Sequence, residues 1–556
     1  MGGRLILKER YKALFVLVVS LLALALIGCG PQSSPGGTGQ SSGRGDESTA
    51  KRGGTLRYWA TPIVQLDPCE QTASSSASPQ ALIYGKLTRY SNQEYYDTKL
   101  TPREAESWEA SPDGKKYTFK LKKGVKWHNL PPVNGREFTS ADVAWNIDFW
   151  KSCKTQGKLY WEPVVKHEEP DPYTIVMYLD KPVASFLMYT AQNFNFLLPR
   201  EVFERDSGFS KTVIGTGPFM NDSYEKDVVW KLKRNPDYHE ISPVDNKPLP
   251  YVDAFETYFM NDPASRLTAF RTGQIDLWWV VGGPTPSELK SLTDGNPDMI
   301  VNKVMRATPS GVLMSQKRKP FTDLKLRQAI SFAIDREKII QTAMEGEGHY
   351  NSLIPSGITT YAWSQEKIKS MPNWQYKPEE AKRLIKELGY SGLPMQFGGS
   401  LQVSTMGLGE KIAAEIICQD LKQAGLACEN VWPDSAVRTK DHRSGEYDLG
   451  WTTGNANMDP DEWTLNTYKT KGSNNYTHVS DPKLDELLVA QSIAVSEEER
   501  KKLLGDFQQY MHDNLFFIPL PRMWEFKVSQ PWIKGMGPLH WSYTLPGVER
   551  AWLDKK

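Results

Sequence analysis

The chain has 556 residues, of which 39% are hydrophobic and 24% are charged, and its formal net charge is +1. This length exceeds what one hydrophobic core ordinarily supports, so the sequence predicts two or three domains. The first 28 residues carry four basic side chains and one acidic one, which leaves a net charge of about −2 from Cys29 onward. That balance argues against a nucleic-acid partner, which usually shows as a basic surplus.

The N-terminus has the pattern of a secretory signal. Residues 1–12 are basic, and residues 13–27 are apolar apart from Ser20. This run is shorter than the roughly 20 residues that a membrane-spanning helix needs. The stretch Leu26-Ile27-Gly28-Cys29 resembles the bacterial lipoprotein box, which implies cleavage before Cys29 and acylation of its thiol. A plain signal peptide or a short anchor helix is the alternative.

Residues 29–50 are rich in Gly, Ser, Pro, Gln and Thr, a composition that predicts a disordered tether between residues 1–28 and the folded body. The body then begins with a predicted strand over Thr55–Ala60. Further on, Pro112-Asp113-Gly114 predicts a hairpin turn between two alternating runs. In the second run, Tyr117, Phe119 and Leu121 are predicted to share one face. No later apolar run approaches 18 residues, so the body is not predicted to span a membrane.

Helices follow at recognisable start signals. Thr139 with Asp142 three residues later is typical of a capping box. The run from residue 324 places a single apolar stripe on one helical face, made of Leu326, Ala329, Ile330, Ala333 and Ile334. Another predicted helix begins at Pro378 and stops at Gly389.

Several long motifs resemble the family 5 extracytoplasmic solute-binding proteins, which include the dipeptide-, oligopeptide- and nickel-binding components of ABC importers. These motifs appear in order as "SWEASPDGKKYTFKLKKGVKWHN", "GTGPF", "KRNPDYH", "FRTGQIDL", "PFTDLKLRQAISFAIDREKII", "YKPEEAKRLIKELGY" and "SDPKLDELL". The resemblance covers nearly all of residues 53–550. One local departure is "LPPVN" at residues 130–134, which lengthens the loop between His128 and Gly135.

The resemblance implies an α/β fold with two lobes, of the three-domain, class II periplasmic-binding-protein type. Domain I would take residues 51–86, 206–305 and 520–556. Domain II would be the inserted residues 87–205, and domain III residues 306–519. The chain would then cross between the lobes more than once, giving a multi-strand hinge that permits opening and closing.

In the peptide-binding relatives, a strand ends in Gly-Trp, and a carboxylate a few residues later grips the ligand's amino group. Gly450-Trp451 matches, but the position expected for the acid falls near Gly454 or Asn455. The first acidic residues after this position are Asp459 and Asp461. Either one of these acids reaches the ligand, or the ligand has no free amino terminus there. For Asp459 the alternative is a helix-start residue that faces solvent.

The resemblance also implies that tryptophans contact the ligand. Trp451 and Trp432 fall where relatives place pocket-lining rings, and Trp278 and Trp279 lie at the end of a strand that faces the cleft. Neighbouring strand residues point to opposite sides, so only one of that pair is expected at the ligand. Packing in the core is the alternative for each ring. Thr452 and Asn455 could hydrogen-bond a ligand beside Trp451, and Glu70 is a weaker candidate.

Neither the cysteines nor the histidines show the spacing that is typical of a metal site. With Cys29 assigned to lipid, Cys418 and Cys428 could pair or remain buried thiols, and Cys69 and Cys153 are left over. None of the four shows metal-ligand spacing, and no cofactor is predicted. A nickel chelate would need few protein ligands and stays open.

The sequence therefore favours a lipid-anchored, extracytoplasmic, monomeric receptor that delivers a peptide to an ABC permease and, through it, to the ATPase subunits. The chain lacks the G-x-x-x-x-G-K-[ST] phosphate loop of the ATPase itself. An oligosaccharide or another small solute is the alternative ligand. A secreted glycoside hydrolase is the alternative of another class, but it needs two carboxylates about 5–10 Å apart, and no motif nominates them.

Overall fold

The computed structural model describes residues 46–63, 65–70, 79–91, 99–279, 283–305, 307–398, 407–453, 459–536, 545 and 547–555. The predicted signal, the acylation site Cys29, most of the tether and Asn455 lie outside these ranges. Ser41–Lys556 form one compact unit.

The strands of the described residues follow one another along almost the whole chain. They are β1 (Thr55–Ala60), β2 (Thr88–Tyr90), β3 (Leu100–Pro102), β4 (Ala105–Ala110), β5 (Lys116–Leu121), β6 (Val164–Asp171), β7 (Thr174–Leu179), β8 (Phe219–Glu225), β9 (Val229–Arg234), β10 (Ala254–Phe259), β11 (Leu277–Trp278), β12 (Ile300–Val304), β13 (Ser310–Met314), β14 (Gly348–His349), β15 (Pro394–Gly398), β16 (Ala427–Val431), β17 (Leu449–Thr453), β18 (Phe517–Pro519), β19 (Arg522–Met523), β20 (Glu525–Ser529), β21 (Ile533–Lys534) and β22 (Trp552–Leu553).

The α-helices lie between these strands and are most frequent in the second half of the chain. They are α1 (Ser140–Ser152), α2 (Gln156–Trp161), α3 (Phe186–Tyr189), α4 (Arg200–Asp206), α5 (Pro263–Arg271), α6 (Pro286–Gly295), α7 (Leu324–Ala333), α8 (Arg336–Ala343), α9 (Gln365–Ser370), α10 (Pro378–Glu387), α11 (Gly407–Gln423), α12 (Ser435–Ser444), α13 (Asp461–Tyr468), α14 (Pro482–Ile493) and α15 (Glu497–Asn514).

Three sheets organise these elements. The seven-stranded sheet has the order β12-β20-β11-β1-β10-β9-β8, the five-stranded sheet β16-β15-β17-β13-β18, and the four-stranded sheet β4-β5-β7-β6. The chain passes from the first of these sheets to the second between β12 and β13, and it returns between β18 and β20. The side chain of Arg522 ties these connections together, since its Nη2 donates to Oγ1 of Thr308 at 3.1 Å.

Local sequence patterns explain many of the elements. The hairpin between β4 and β5 closes where the N–H of Gly114 donates to the carbonyl of Ser111 at 2.9 Å. Along β5, Tyr117, Phe119 and Leu121 are buried, which confirms the predicted face. The capping box at Thr139 and Asp142 is also confirmed.

Two of the long motifs meet in space around His128. Its Nδ1 accepts from the N–H of Gly215 at 3.2 Å, and its Nε2 lies 3.0 Å from the carbonyl oxygen of Gly217. Because Nδ1 accepts, the ring is neutral with its proton on Nε2. A Cβ atom on Gly215 would overlap the carbonyl of Ile83, so this close approach requires glycine. These motifs therefore hold the scaffold together.

The four-stranded-sheet region, residues 99–198, contacts the helices α13 and α14 along a surface that we call the seam. Across the seam, the N–H of Ala184 donates to the carbonyl of Ser492 at 2.9 Å. Tyr160, Ser185 and Gln192 reach the acidic side chains of α13 from the same side. A disulfide between Cys69 and Cys153 joins this region to the segment that follows β1.

Candidate functional site

A cavity of about 240 Å³ lies beside Trp451. The described residues that line it all fall between positions 309 and 517, around β17, α12 and α13. Its aromatic wall consists of Trp451, Trp463, Tyr468, Tyr476 and Phe517. The described part of its lining therefore belongs to the five-stranded-sheet region.

Trp451 belongs both to the cavity and to the core. It lies on β17 opposite Val312 of β13, and its ring packs on Phe397 at a centroid distance of 6.3 Å. Only 3% of the residue is exposed. The residue before it, Gly450, leaves room for a neighbouring imidazole, because a Cβ there would lie 2.7 Å from Nε2 of His442. The Gly-Trp pair thus brings a histidine and an indole together at this wall.

The polar side of the cavity is built by α12 and α13. His442 packs against Tyr447 and Tyr476 at ring distances of 4.7 and 5.5 Å. Burial lowers the pKa of His442 to about 4, so its ring is neutral near pH 7 and offers hydrogen bonds without charge. The other polar lining residues are Arg438, Thr439, Glu462, Asn466, Thr467 and Asn474.

Asp459 has a structural partner. Its two carboxylate oxygens accept from the two terminal nitrogens of Arg500 at 2.6 and 2.7 Å, and both side chains are almost fully buried. One of these oxygens also accepts from the N–H of Asp461 at the start of α13. Asp459 does start a helix, as the alternative interpretation held, but it does not face solvent: it is 1% exposed and paired.

Glu462 stands between the cavity and the seam, and sequence reasoning missed it. It accepts from the hydroxyl of Tyr160 at 3.2 Å and from the amide of Gln192. Burial raises the pKa of Glu462 well above its usual range, and the nearby Asp459 raises it further. Its place in the first turn of α13, after an Asp-Pro pair, is a helix-start signal and gives no hint of this position.

The other tryptophan candidates lie away from this cavity. Trp278 packs edge-on against Trp59 and Phe270, each at 5.7 Å, inside an apolar cluster. Trp279 belongs to a different core cluster, and its Nε1 donates to Oγ of Ser529 at 2.9 Å. The neighbouring pair therefore diverges, as alternation along a strand requires. Trp432 is half-buried against the core of the five-stranded-sheet region.

The remaining candidates are placed as follows. Thr452 lies in β17, and its backbone is opposite Gly311 of β13. Glu70 is an exposed turn residue that accepts from Nε2 of Gln65 at 2.6 Å. Within the described ranges, no three His, Cys, Asp or Glu side chains gather as a metal ion would require. Among the described helices, none is both long and apolar enough to cross a membrane.

Two disulfides are present among the described residues. Cys418 of α11 is bonded to Cys428 of β16, with their Cα atoms 5.2 Å apart. The pairing of Cys69 with Cys153 was not predicted, because the two cysteines are 84 residues apart and neither lies in a motif that signals a partner.

Comparisons with known proteins agree with this architecture. A model of bacterial extracellular solute-binding proteins, family 5 Middle, matches residues 99–476. Di/tripeptide-binding protein 1 of Pseudomonas aeruginosa is 26% identical over 483 residues, covering 82% of this chain and 86% of that protein. Heme-binding protein A of Haemophilus influenzae is 26% identical over 510 residues, covering 84% and 88%.

Among solved structures, the periplasmic binding protein DppA of Helicobacter pylori, in complex with peptide STSA, superposes with a TM-score of 0.73 at 24% identity. That match covers 91% of this chain and 99% of the other. It shows the same fold.

Proposed function

Because the chain belongs to the bacterial extracellular solute-binding proteins of family 5, we propose that it is the peptide receptor of an ABC importer. Members of this family bind solutes and are not enzymes, and their fold has two lobes. A peptide would enter between the lobes, favour the closed form, and be handed to a permease whose ATPase subunits supply the energy. We propose domain boundaries as the resemblance implies them: 51–86, 206–305 and 520–556 for domain I, 87–205 for domain II and 306–519 for domain III.

The single observation that carries the proposal is the cavity beside Trp451. It combines aromatic rings with hydrogen-bonding groups, as sites for small ligands ordinarily do. Its volume of about 240 Å³ suits one peptide side chain rather than a whole peptide. A relative that is 26% identical is named as a di/tripeptide-binding protein, which supports the choice of ligand class.

We propose Trp451 as a ligand contact because it lines the cavity. For Trp432, Trp279, Thr452 and Asn455 the same proposal rests on the family resemblance. Asp459 is a poor partner for a ligand ammonium, since using it would release Arg500 as a buried, unpaired cation. Trp278 and Glu70 are weaker still, because one is packed in an apolar cluster and the other lies on an exposed turn. The ligand's amino end is then held by groups other than Asp459.

An oligosaccharide or another small solute is the second candidate. The aromatic wall of the cavity favours it, because flat rings stack on sugars as well as on peptide side chains. A relative named as a heme-binding protein also shows that ligands differ between relatives of this chain.

Mass spectrometry of the ligand that co-purifies with the protein tests the proposal directly. We expect short peptides, and titration calorimetry with di-, tri- and tetrapeptides should give saturable binding without turnover. Cello- and chito-oligosaccharides serve as the comparison. X-ray scattering should show compaction on binding, because both lobes contact the ligand. A bound sugar together with no peptide binding would overturn the peptide assignment.

We also propose that Cys29 carries the lipid that anchors the protein outside the cytoplasm, as a monomer. Several acyl chains hold a protein at a bilayer, at about 0.8 kcal/mol per buried CH₂ group. Cys29→Ser should therefore move the protein from the membrane fraction to the soluble fraction. Wild-type protein whose Cys29 carries no acyl group in intact-mass analysis would contradict the proposal.

A further inference from the structure

Glu462 belongs both to the lining of the cavity beside Trp451 and to the seam. One side of the residue lines the cavity beside Trp451. Its carboxyl group also takes hydrogen bonds from Tyr160 and Gln192, which lie across the seam. Among the described lining residues, Glu462 is one whose side chain forms hydrogen bonds with the opposite region.

The next acidic residue extends the same contact. Oδ2 of Asp461 lies 3.3 Å from the hydroxyl of Ser185, and its Oδ1 accepts from the amide of Gln491. Nearby, the backbone of Ala184 donates to the carbonyl of Ser492 at 2.9 Å. The seam therefore consists of hydrogen bonds that end on two buried carboxyl groups and one carbonyl.

The charge balance at the seam favours protons on these carboxyl groups. Arg500 is committed to Asp459 by two short hydrogen bonds, and its Nη2 is 3.5 Å from Asp461. Burial raises the pKa of Asp461 to about 6, and it raises that of Glu462 well above the usual range. The titratable groups around the pair are Asp459, Tyr90, Tyr160 and Tyr189 at the seam and Arg438 and His442 at the cavity.

We propose that Glu462 couples filling of the cavity to closure of the seam, and that closure takes up a proton from water onto the buried pair of Asp461 and Glu462. In the open form these carboxyl groups meet water and ionise. When the seam closes, water leaves, and a carboxyl group that has taken up a proton donates it in a hydrogen bond to its hydroxyl partner, Tyr160 for Glu462 or Ser185 for Asp461. The other oxygen of each carboxyl group still accepts from an amide. The inference rests on the proposed receptor function, but the closing step has its own readout.

The direction of the pH effect follows from linkage. A carboxyl group in water titrates near its ordinary value, and in the closed seam it titrates higher. Protonation therefore favours the closed form, and closure becomes less favourable as the pH rises through the higher value. Each unit of difference between the two forms corresponds to a tenfold change in the closing equilibrium.

Hydrogen exchange in the protein without ligand tests the closing step. The amide of Ala184 donates across the seam, so its protection factor reports closure. After correction for intrinsic rates, we expect at least fivefold greater protection at pH 5.5 than at pH 8.0. Glu462→Gln, which mimics the protonated shape, should reduce this ratio, because Asp461 is then the one member of the pair that can still titrate. Glu486→Gln, at an exposed position of α14, is the matched control and should behave like wild type.

Tyr160→Phe gives a second route if Glu462→Gln fails to fold. It removes one hydroxyl from the seam and leaves the cavity lining unchanged, and it should lower protection at pH 5.5 toward the value at pH 8.0. Equal protection of the wild type at both pH values would overturn proton-linked closure. If the protection of the Ala184 amide in Glu462→Gln depends on pH as strongly as in the wild type, Glu462 does not couple the cavity to the seam.

Titration with trialanine separates this inference from the receptor function. We expect at least fivefold tighter binding at pH 5.5 than at pH 8.0 in the wild type, and a smaller difference in Glu462→Gln, where Asp461 alone still titrates. If trialanine does not bind at either pH, the result counts against the peptide proposal, while the exchange measurement still decides the closing step. Binding that is equally tight at both pH values in the wild type contradicts the coupling.

Discussion

At the scale of single residues, two buried tryptophans with similar exposure have different surroundings. Trp451 is 3% exposed and lines the cavity, whereas Trp278 is 2% exposed and packs on Trp59 and Phe270. Burial alone therefore does not separate a ligand contact from a core residue. What separates them is whether a cavity lies beside the ring.

This pair gives the first prediction. Trp451→Ala should cost about 3–5 kcal/mol of unfolding free energy, because the ring packs on Phe397, and it should also weaken ligand binding by about 5- to 150-fold. Trp278→Ala should cost similar stability and leave affinity unchanged. Urea denaturation and calorimetry measure the two quantities. Normal affinity in Trp451→Ala would assign its ring to the core alone.

The second prediction concerns the ion pair of Asp459 and Arg500. Asp459→Asn leaves the guanidinium without its charged partner, so we expect a loss of about 3–5 kcal/mol in unfolding free energy. Asp506→Asn breaks an exposed pair with Lys502 on the same helix, α15, and should change stability little. If Asp459→Asn keeps full stability but loses affinity only for ligands with a free amino terminus, Asp459 grips the ligand after all.

Sequence reasoning could reach only part of this site. The Gly450-Trp451 pair was found because it resembles a motif, and Trp451 does line a cavity. Arg500 follows Asp459 by 41 positions, and nothing local marks the two as partners. Glu462 was missed for a related reason: its function depends on Tyr160, about 300 residues earlier. Contacts between distant segments leave no periodic signal in one sequence.

At the scale of secondary-structure elements, local patterns were informative. The predicted apolar residues of α7 are buried, but Arg327, Ser331 and Phe332 are buried as well, so the helix is covered on more than one face. Ile334 is buried too, but it lies one residue beyond the end of the helix. The alternation of apolar and polar residues along β5 also predicted correctly which side chains are buried. By contrast, the parallel pairing of β1 with β10 joins Thr55 to Ala254, and only the family resemblance implied such a split arrangement.

The third prediction concerns the loop that His128 holds against Gly215 and Gly217. Burial lowers the pKa of His128 to about 4, below its ordinary 6.5. The unfolded chain therefore binds this proton more strongly, and stability falls as the pH drops from about 6.5 toward 4, by up to about 3 kcal/mol. His128→Gln should reduce the slope of unfolding free energy against pH in this window. An unchanged slope in His128→Gln would contradict this account.

At the scale of the whole molecule, the two disulfides differ in the number of residues that each one encloses. Cys69–Cys153 closes a segment of 84 residues and joins the segment after β1 to α1, whereas Cys418–Cys428 closes 10 residues within one region. In the chain-entropy account, a longer closed loop restricts the unfolded chain more. The long-range bridge should therefore be the stronger constraint on the molecule.

This gives the fourth prediction. Replacing Cys69 and Cys153 by serine should cost about 4.5 kcal/mol of unfolding free energy, against about 2.7 kcal/mol for Cys418 and Cys428. Denaturant titration of the two double variants measures the difference. An equal or reversed cost would show that native-state packing, and not loop length, sets the contribution of each bridge.

The order of these bridges along the chain bears on how the protein is made. If Cys29 carries lipid, the remaining four cysteines pair strictly with their nearest neighbour in sequence: 69 with 153, and 418 with 428. A polypeptide that emerges N-terminus first into an oxidising compartment exposes one partner, then the next, so each correct bond is the first one available. Biogenesis then requires an oxidant but no shuffling of mispaired thiols, and export in a strain without disulfide isomerase should yield fully native protein.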